Sequence, residues 1–212
     1  MTPLLALFDV DGTLFLTDDP LAGLALTETL AGRYCVELPD DAIGRVDHQG
    51  QTSLRIARLV LAAAGVEEPD DLAGWCRDFA ERYLELLADA DTSKWQPAQE
   101  AEAALEQLAA AEVRLALLTG NPEPIARARL ERLGLVHFFP AGQGAFGCES
   151  ELREELIALA RQRAGGVPAG STVEIGDTPR DASSSRAAGI RSIIVGKEGL
   201  TVGAIRQLLS SA

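Results

Sequence analysis

The sequence predicts an α/β fold in which a parallel β-sheet core is interrupted after its first strand by a helical insert. Three observations support this. The apolar run at residues 4–8 ends in two acids and a glycine, and the block from about residue 16 to residue 92 contains no convincing strand. From residue 98 onward, strand-like runs alternate with helical patterns. Such alternation indicates right-handed βαβ units, which build a parallel sheet.

Length and composition fit an ordinary globular protein. With 212 residues, 47% apolar and 24% charged, the chain can form one substantial core and a smaller appended unit. A net charge of −13 disfavours nucleic acid and anionic membranes as partners, because both bind basic surfaces. No apolar run approaches a membrane span, and Met1-Thr2-Pro3 lacks the basic start of a signal peptide. We therefore expect a cytoplasmic protein, and we leave its oligomeric state open.

The three cysteines are Cys35, Cys76 and Cys148, which are odd in number and far apart. This spacing argues against a disulfide framework and against a zinc site, whose ligands usually come in close pairs. We expect three buried free thiols.

The first predicted strand leads directly into two acids. Residues 4–8 form a short, uniformly apolar run that fits a buried parallel strand, and Gly12 permits a sharp turn after it. Ligands of parallel α/β sheets bind beyond the carboxyl ends of the strands, where Asp9 and Asp11 lie. Two acids this close repel each other unless a cation, a proton or a donor intervenes, and Mg²⁺ is the natural cation. A solvated turn without function is the alternative.

The insert is predicted to be helical. Asp18-Asp19-Pro20 starts a helix from about Leu21 to Tyr34, and a shorter helical piece follows residue 39. Apolar residues at helical spacing predict further helices over residues 52–64 and from about residue 69.

Four further strands are predicted after the insert. A helix over 98–111 precedes the second strand at 113–118, a weaker pattern suggests a strand at 137–146, and clean β-branched runs lie at 171–175 and 190–195. The second strand ends in Thr119, Gly120 and Asn121, whose hydroxyl and amides suit an anion. The same residues also fit a helix cap by Asn121 with no function.

An acid also follows the fourth strand. Gly176 and Asp177 repeat the arrangement of the first strand, and Asp181 lies in the first turn of the next predicted helix. A bound phosphate requires positive charge, yet Lys94 and Lys197 are the only lysines, so metal and arginine have to supply it. By itself, Arg153 also fits an exposed helical arginine paired with a nearby glutamate.

These strings together resemble the motifs of the haloacid dehalogenase superfamily of phosphotransferases. Asp9-Val10-Asp11-Gly12-Thr13-Leu14 resembles motif I, Thr119-Gly120-Asn121 motif II, Arg153-Glu154-Glu155-Leu156 a variant of motif III, and Gly176-Asp177 with Asp181 motif IV. The resemblance implies a Rossmann-like core domain, residues 1–15 and 97–212, with a helical cap domain, residues 16–96, inserted after the first strand. Its hinges would be residues 15–20 and 91–97.

The resemblance also implies a Mg²⁺-dependent phosphatase for a small phosphorylated metabolite, and the small helical cap resembles that of the phosphoglycolate-phosphatase-like members of the superfamily. Asp9 would be the nucleophile and Asp11 the general acid and base. Asp9, Asp11 and Asp177 would hold Mg²⁺, Asp11 through its backbone carbonyl, and Asp181 would support them from behind. The substrate-binding residues would be Gly12, Thr119, Gly120, Asn121 and Arg153, and the cap loop would add Gln49, Gln51 and Thr52 as specificity candidates.

Three alternatives remain open at this point. A phosphosugar mutase of the same fold uses the same acids and returns the phosphoryl group to its substrate. A noncatalytic phosphate-binding relative finds support only in Arg153, which stands where the family has lysine. A dehalogenase is disfavoured because that reaction does not need Asp11.

Overall fold

The computed structural model describes residues 4–67 and 69–210. Over these residues the chain forms five β-strands and eight α-helices. The strands are β1 (Leu5–Phe8), β2 (Arg114–Thr119), β3 (Ala145–Phe146), β4 (Thr172–Gly176) and β5 (Arg191–Ile194). The helices are α1 (Pro20–Tyr34), α2 (Ser53–Ala63), α3 (Leu72–Ala88), α4 (Ala101–Ala110), α5 (Glu123–Arg132), α6 (Arg153–Arg163), α7 (Pro179–Ala187) and α8 (Val202–Ser210).

The strands form one parallel sheet in the order β3-β2-β1-β4-β5. The short apolar run that opens the chain becomes the central strand, with Leu5 opposite both Arg114 and Thr172. Every residue of β1 is buried, as expected for a strand covered on both faces. The predicted α/β class is confirmed. Within the described residues, no helix combines the length and apolar character needed to pass through a bilayer.

Helices cover the two faces of the sheet. On one face, Ala6 and Phe8 of β1 belong to a core cluster with residues of α4, α5 and α8. On the other face, Leu5 and Leu7 pack with α6 and the segment that follows it. The alternation of side chains along β1 therefore divides the core into two layers.

Helices α1, α2 and α3 lie between β1 and α4 in the chain and share a separate apolar cluster. Trp75 and Tyr83 of α3 are fully buried in it, and Trp75 stacks on Phe79 with ring centroids 5.3 Å apart. Asp19 begins α1 by accepting a hydrogen bond from the Leu21 amide at 3.1 Å, and Pro20 occupies the first turn.

The predicted third strand is wrong for most of its length. Only Ala145–Phe146 pairs with β2, while Val136–Phe138 forms a 3₁₀ turn. Gly142 and Gly144 have φ angles of 77° and 91°, and such left-handed conformations interrupt an extended strand. The apolar side chains of this segment pack instead into the core cluster that contains Ala6 and Phe8.

The prediction of three buried free thiols is also wrong. Cys76 of α3 and Cys148, which follows β3, form a disulfide with Cα atoms 5.9 Å apart, and Cys35 is exposed. The pair is separated by 72 residues in the sequence. The fold brings α3 beside the loop after β3, a proximity that residue spacing does not reveal.

Candidate active site

The candidate site lies at the carboxyl edge of the parallel sheet. Asp9 follows β1, Thr119 ends β2, and Asp177 follows β4, so the three side chains meet at neighbouring strand ends. Helix α6 begins at Arg153, whose side chain lies near Asp9 at the end of β1. The predicted residues of the first, second and fourth strands thus share one location.

Three carboxylates form the centre of the site. One oxygen from each of Asp9, Asp177 and Asp181 lies within 4.8 Å of the others, and Asp177 Oδ1 is buried without a hydrogen-bond partner. Burial, followed by the neighbouring Asp181 carboxylate, raises the pKa of Asp177. A hard divalent cation would satisfy the orphaned oxygen and offset the repulsion among these acids. This donor set fits Mg²⁺.

Gly12 allows the first and fourth strand ends to approach this closely. Its φ angle is 72°, and a Cβ atom at this position would overlap the Asp177 carboxylate. The turn after β1 therefore requires glycine both for its backbone conformation and for the space that Asp177 occupies.

Arg153 is a buried cation beside the clustered carboxylates. Its side chain is only 4% exposed, and its Nη2 lies 2.6 Å from Asp181 Oδ1, 3.0 Å from Glu174 Oε1 and 3.7 Å from Asp9 Oδ1. Burial raises the pKa of Asp9 well above its usual range, Arg153 opposes this shift, and Asp181 adds to it. The alternative of an exposed arginine paired with a helical glutamate does not describe this residue.

Glu174 is a site residue that the sequence reasoning missed. It is fully buried in β4, where it accepts hydrogen bonds from Arg153 Nη2 at 3.0 Å and from Ser185 Oγ at 2.5 Å. The available signal was an acid inside an otherwise apolar strand, because a buried carboxylate needs a buried partner.

Glu174 leads to a prediction about pH. Burial raises the pKa of Glu174 from its ordinary value of 4.5 to about 7. Between these values the folded chain keeps a proton that the unfolded chain has released, so this group's contribution to stability falls as the pH rises. We expect Glu174→Gln, which resembles the protonated acid, to gain stability relative to the wild type across this interval by up to about 3 kcal/mol.

Urea denaturation of the metal-free protein at about pH 4.5 and about pH 7.5 measures this gain. Glu106→Gln, at an exposed position of α4, is the matched control and should show no such change. The same difference between Glu174→Gln and wild type at both pH values would contradict the prediction.

The residues after β2 connect the site to Asp11. Thr119 is fully buried, and its Oγ1 accepts hydrogen bonds from the backbone and side-chain nitrogens of Asn121 at 3.2 and 3.1 Å. Asn121 Nδ2 also donates to Asp11 Oδ2 at 2.5 Å. Asn121 does not cap α5, which begins after Pro122 without a side-chain cap. Its amide instead joins the second strand end to Asp11.

Asp11 points away from the three clustered carboxylates. Its side chain is 52% exposed, and Arg129 Nη1 lies 2.8 Å from Asp11 Oδ1. Any contribution of Asp11 to a metal ion in this arrangement would come from its backbone carbonyl. Arg129, on α5, was not singled out from the sequence, because its helix carries four other charged residues in close succession.

The insert supplies one wall of the site. A cavity of about 480 Å³ is lined by Asp9, Asp11 and Asp177 from the sheet edge and by Gln49 and Gln51 from the loop before α2. Thr52, in contrast, is fully buried, and its hydroxyl accepts a hydrogen bond from the Arg55 amide to cap α2. Of the three cap-loop candidates, the structure places two at the cavity.

Backbone contacts hold this wall close to the sheet. The Ser53 amide and hydroxyl both donate to the Gly120 carbonyl at 2.8 Å, and the Leu54 amide donates to the Gly147 carbonyl at 3.1 Å. Arg180, which the sequence reasoning did not select, donates from Nε to the Gln49 carbonyl at 3.0 Å. These contacts fix the cap loop over the strand ends.

Comparisons with known proteins place the chain in a family. The model of the haloacid dehalogenase-like hydrolase family matches residues 4–189. A phosphoglycolate phosphatase from Rhodospirillum rubrum is 32% identical over 198 residues, which cover 91% of this chain and 79% of that protein.

Solved structures share the fold at lower identity. The structure of CbbY from Rhodobacter sphaeroides in complex with phosphate gives a TM-score of 0.62 at 20% identity, covering 92% of this chain and 86% of that one. A protein from Thermotoga maritima named as a β-phosphoglucomutase gives 0.56 at 22% identity and covers 99% of both chains. At these identities the likeness concerns the fold alone.

Proposed function

Since this chain belongs to the haloacid dehalogenase-like hydrolase family, we propose that it is a magnesium-dependent phosphatase that hydrolyses a small phosphorylated metabolite through an aspartyl-phosphate intermediate. The observation that carries the proposal is the buried Asp9 carboxylate at the end of the central strand, beside Arg153 and two further acids. Relatives named as phosphoglycolate phosphatases, at up to 32% identity, add support.

The reaction divides into two steps. An Asp9 oxygen attacks phosphorus, the bond between phosphorus and the ester oxygen breaks, and Asp11 gives its proton to the departing oxygen. A water molecule then attacks the phosphorus of the aspartyl phosphate, Asp11 takes the water's proton, and Asp9 is released with inorganic phosphate. The half-exposed position of Asp11 at the cavity suits a group that exchanges a proton with substrate and water.

Positive charge and donors stabilise the transferred phosphoryl group. Arg153 keeps its charge and can contact more than one phosphate oxygen, so it can serve where the family has lysine. Thr119, the amides of Gly120 and Asn121, and the Gly12 turn surround the same strand ends. These groups are assigned to phosphate binding.

Mg²⁺ would be held by the Asp9 and Asp177 carboxylates and by the Asp11 backbone carbonyl. When bound, it supplies positive charge that offsets the phosphate and the clustered acids. Asp181 accepts hydrogen bonds from the Thr178 amide at 2.8 Å and hydroxyl at 2.6 Å and pairs with Arg153, so it is assigned to positioning these groups.

We assign residues 16–96 as a cap over a core of residues 1–15 and 97–212. The separate apolar cluster of α1, α2 and α3 supports this division. The contribution of Gln49 and Gln51 to the cavity supports a role of the cap in choosing the substrate, because both residues line the cavity that Asp9 and Asp11 also line.

A phosphate-release assay tests the proposed function. The panel contains 4-nitrophenyl phosphate, 2-phosphoglycolate and several sugar 1-phosphates, each with Mg²⁺ and with a chelator. We expect Mg²⁺-dependent release of inorganic phosphate and at least about a 10²-fold loss with the chelator. Conversion of a sugar 1-phosphate to a 6-phosphate without net release would identify a mutase instead. No turnover on any ester would favour a noncatalytic protein.

A further inference from the structure

Arg129 connects Asp11, which follows β1, to helices α1 and α3 of the insert. Its side chain is 3% exposed, and its Nη1 lies 2.8 and 3.1 Å from the two carboxylate oxygens of Asp11. On its other side, Nε and Nη2 lie 3.0 and 2.8 Å from Asp19 Oδ2. Asp19 caps α1, and Tyr83 of α3 donates from its hydroxyl to the same Asp19 oxygen at 2.7 Å.

Aromatic rings hold the guanidinium in place. Its central carbon lies 5.3 Å from the Phe15 ring centroid and 5.5 Å from that of Tyr83. A planar guanidinium that is stacked on rings and bonded along two edges has little rotational freedom. The contacts on the Asp11 side are therefore made by a rigid partner.

The charge balance argues against Arg129 as a receptor for a substrate anion. One guanidinium faces two carboxylates, Asp11 and Asp19, and both already accept hydrogen bonds from it. If Arg129 served only to neutralise a buried charge, Asp19 would be a sufficient partner, because its side chain is 3% exposed. The contact with the exposed Asp11 carboxylate is additional, and it adds to the Asn121 contact in restraining the Asp11 side chain.

We propose that Arg129 is a positioning residue that fixes the Asp11 carboxylate for proton transfer and anchors it to α1 and α3 of the insert. This inference rests on the proposed phosphatase function. Together with Asn121, Arg129 restrains both oxygens of Asp11. Because its other contacts are with Asp19 and Tyr83, the placement of Asp11 depends on the placement of the insert.

The test uses esters that differ in their need for an acid. An alkyl phosphate requires protonation of its departing oxygen, whereas 4-nitrophenyl phosphate releases a stable phenolate. The value of kcat/KM reports the first phosphoryl transfer. We expect Arg129→Met to lower kcat/KM roughly 30-fold for the best alkyl phosphate of the panel and no more than about 3-fold for 4-nitrophenyl phosphate. Arg132→Met, on the same helix, is the matched control.

A double-mutant cycle identifies the residue through which Arg129 acts. In an Asp11→Asn background, Arg129→Met should cause no more than about a 2-fold further loss with the alkyl ester, since the group that it positions is gone. The proposal would be overturned if Arg129→Met had unchanged activity or lost activity equally with both esters. It would also be overturned if Arg129→Met caused the same fold loss in the wild-type and Asp11→Asn backgrounds. A wild-type enzyme without Mg²⁺-dependent phosphatase activity would instead overturn the proposed function.

A second variant covers the case in which Arg129→Met does not fold. Tyr83→Phe keeps the ring that packs on Arg129 and removes only the hydroxyl that bonds Asp19 and Arg129. We expect a smaller loss, about 3-fold to 10-fold, again confined to the alkyl ester. The absence of a difference between the two esters in this variant would contradict the proposal.

Discussion

Replacing Asp9 by asparagine is expected to lower Mg²⁺-dependent phosphate release by at least about 10³-fold, because the amide cannot form the aspartyl phosphate. The fold should survive. Burial raises the pKa of Asp9, so the ionised carboxylate is costly in the metal-free protein, and an uncharged isostere relieves repulsion from Asp11 and Asp181. The melting temperature without Mg²⁺ should therefore equal or exceed that of the wild type.

Two measurements check this result. Phosphate release from 4-nitrophenyl phosphate reports the chemistry, and thermal unfolding with and without Mg²⁺ reports metal binding, which should stabilise Asp9→Asn less than the wild type. Asp89→Asn, at the exposed end of α3, is the control for the change of charge. Retained turnover by a folded Asp9→Asn protein would rule out Asp9 as the nucleophile.

Arg153→Ala is expected to have the largest effect on stability. It leaves Asp9, Glu174 and Asp181 buried together without their cation, and removal of one partner from such a buried network costs about 3–5 kcal/mol. Arg153→Lys should lose less, since a lysine ammonium restores the charge. Activity should follow the same order, with Arg153→Ala the least active.

The control for the Arg153→Ala variant is a surface arginine at the other end of α6. Arg163 pairs with Glu149 at the surface, with side chains 33% and 28% exposed, so Arg163→Ala should cost no more than about 1 kcal/mol. Adding Glu174→Gln to Arg153→Ala should recover part of the lost stability, because one buried acid loses its charge. Equal losses for Arg153→Ala and Arg163→Ala in urea denaturation would contradict the buried network.

Local patterns predicted much of this molecule. The helix expected from Leu21 to Tyr34 is α1, Pro20–Tyr34, because an aspartate and a proline mark its start. Asp9 and Asp177 could be placed together because each follows a strand of a parallel sheet, and parallel strands end at a common edge. In both cases the information lies within a few adjacent residues.

Distant pairings could not be obtained in this way. Arg129 and Asp11 are 118 residues apart, and Cys76 and Cys148 are 72 apart. Each contact depends on how α3 and α5 pack, which helical periodicity does not specify. The residues after Val136 show a different limit, because their apolar side chains pack under the sheet without forming a strand.

The disulfide between Cys76 and Cys148 bears on how residues 16–96 are attached. The polypeptide already joins this segment to the rest of the chain at its two ends, and the disulfide adds a third covalent link through α3. A body tethered at two points can swing about the line between them, whereas a third tether away from that line restrains the swing. We therefore expect reduction of this disulfide to widen any movement of residues 16–96 against the rest of the chain.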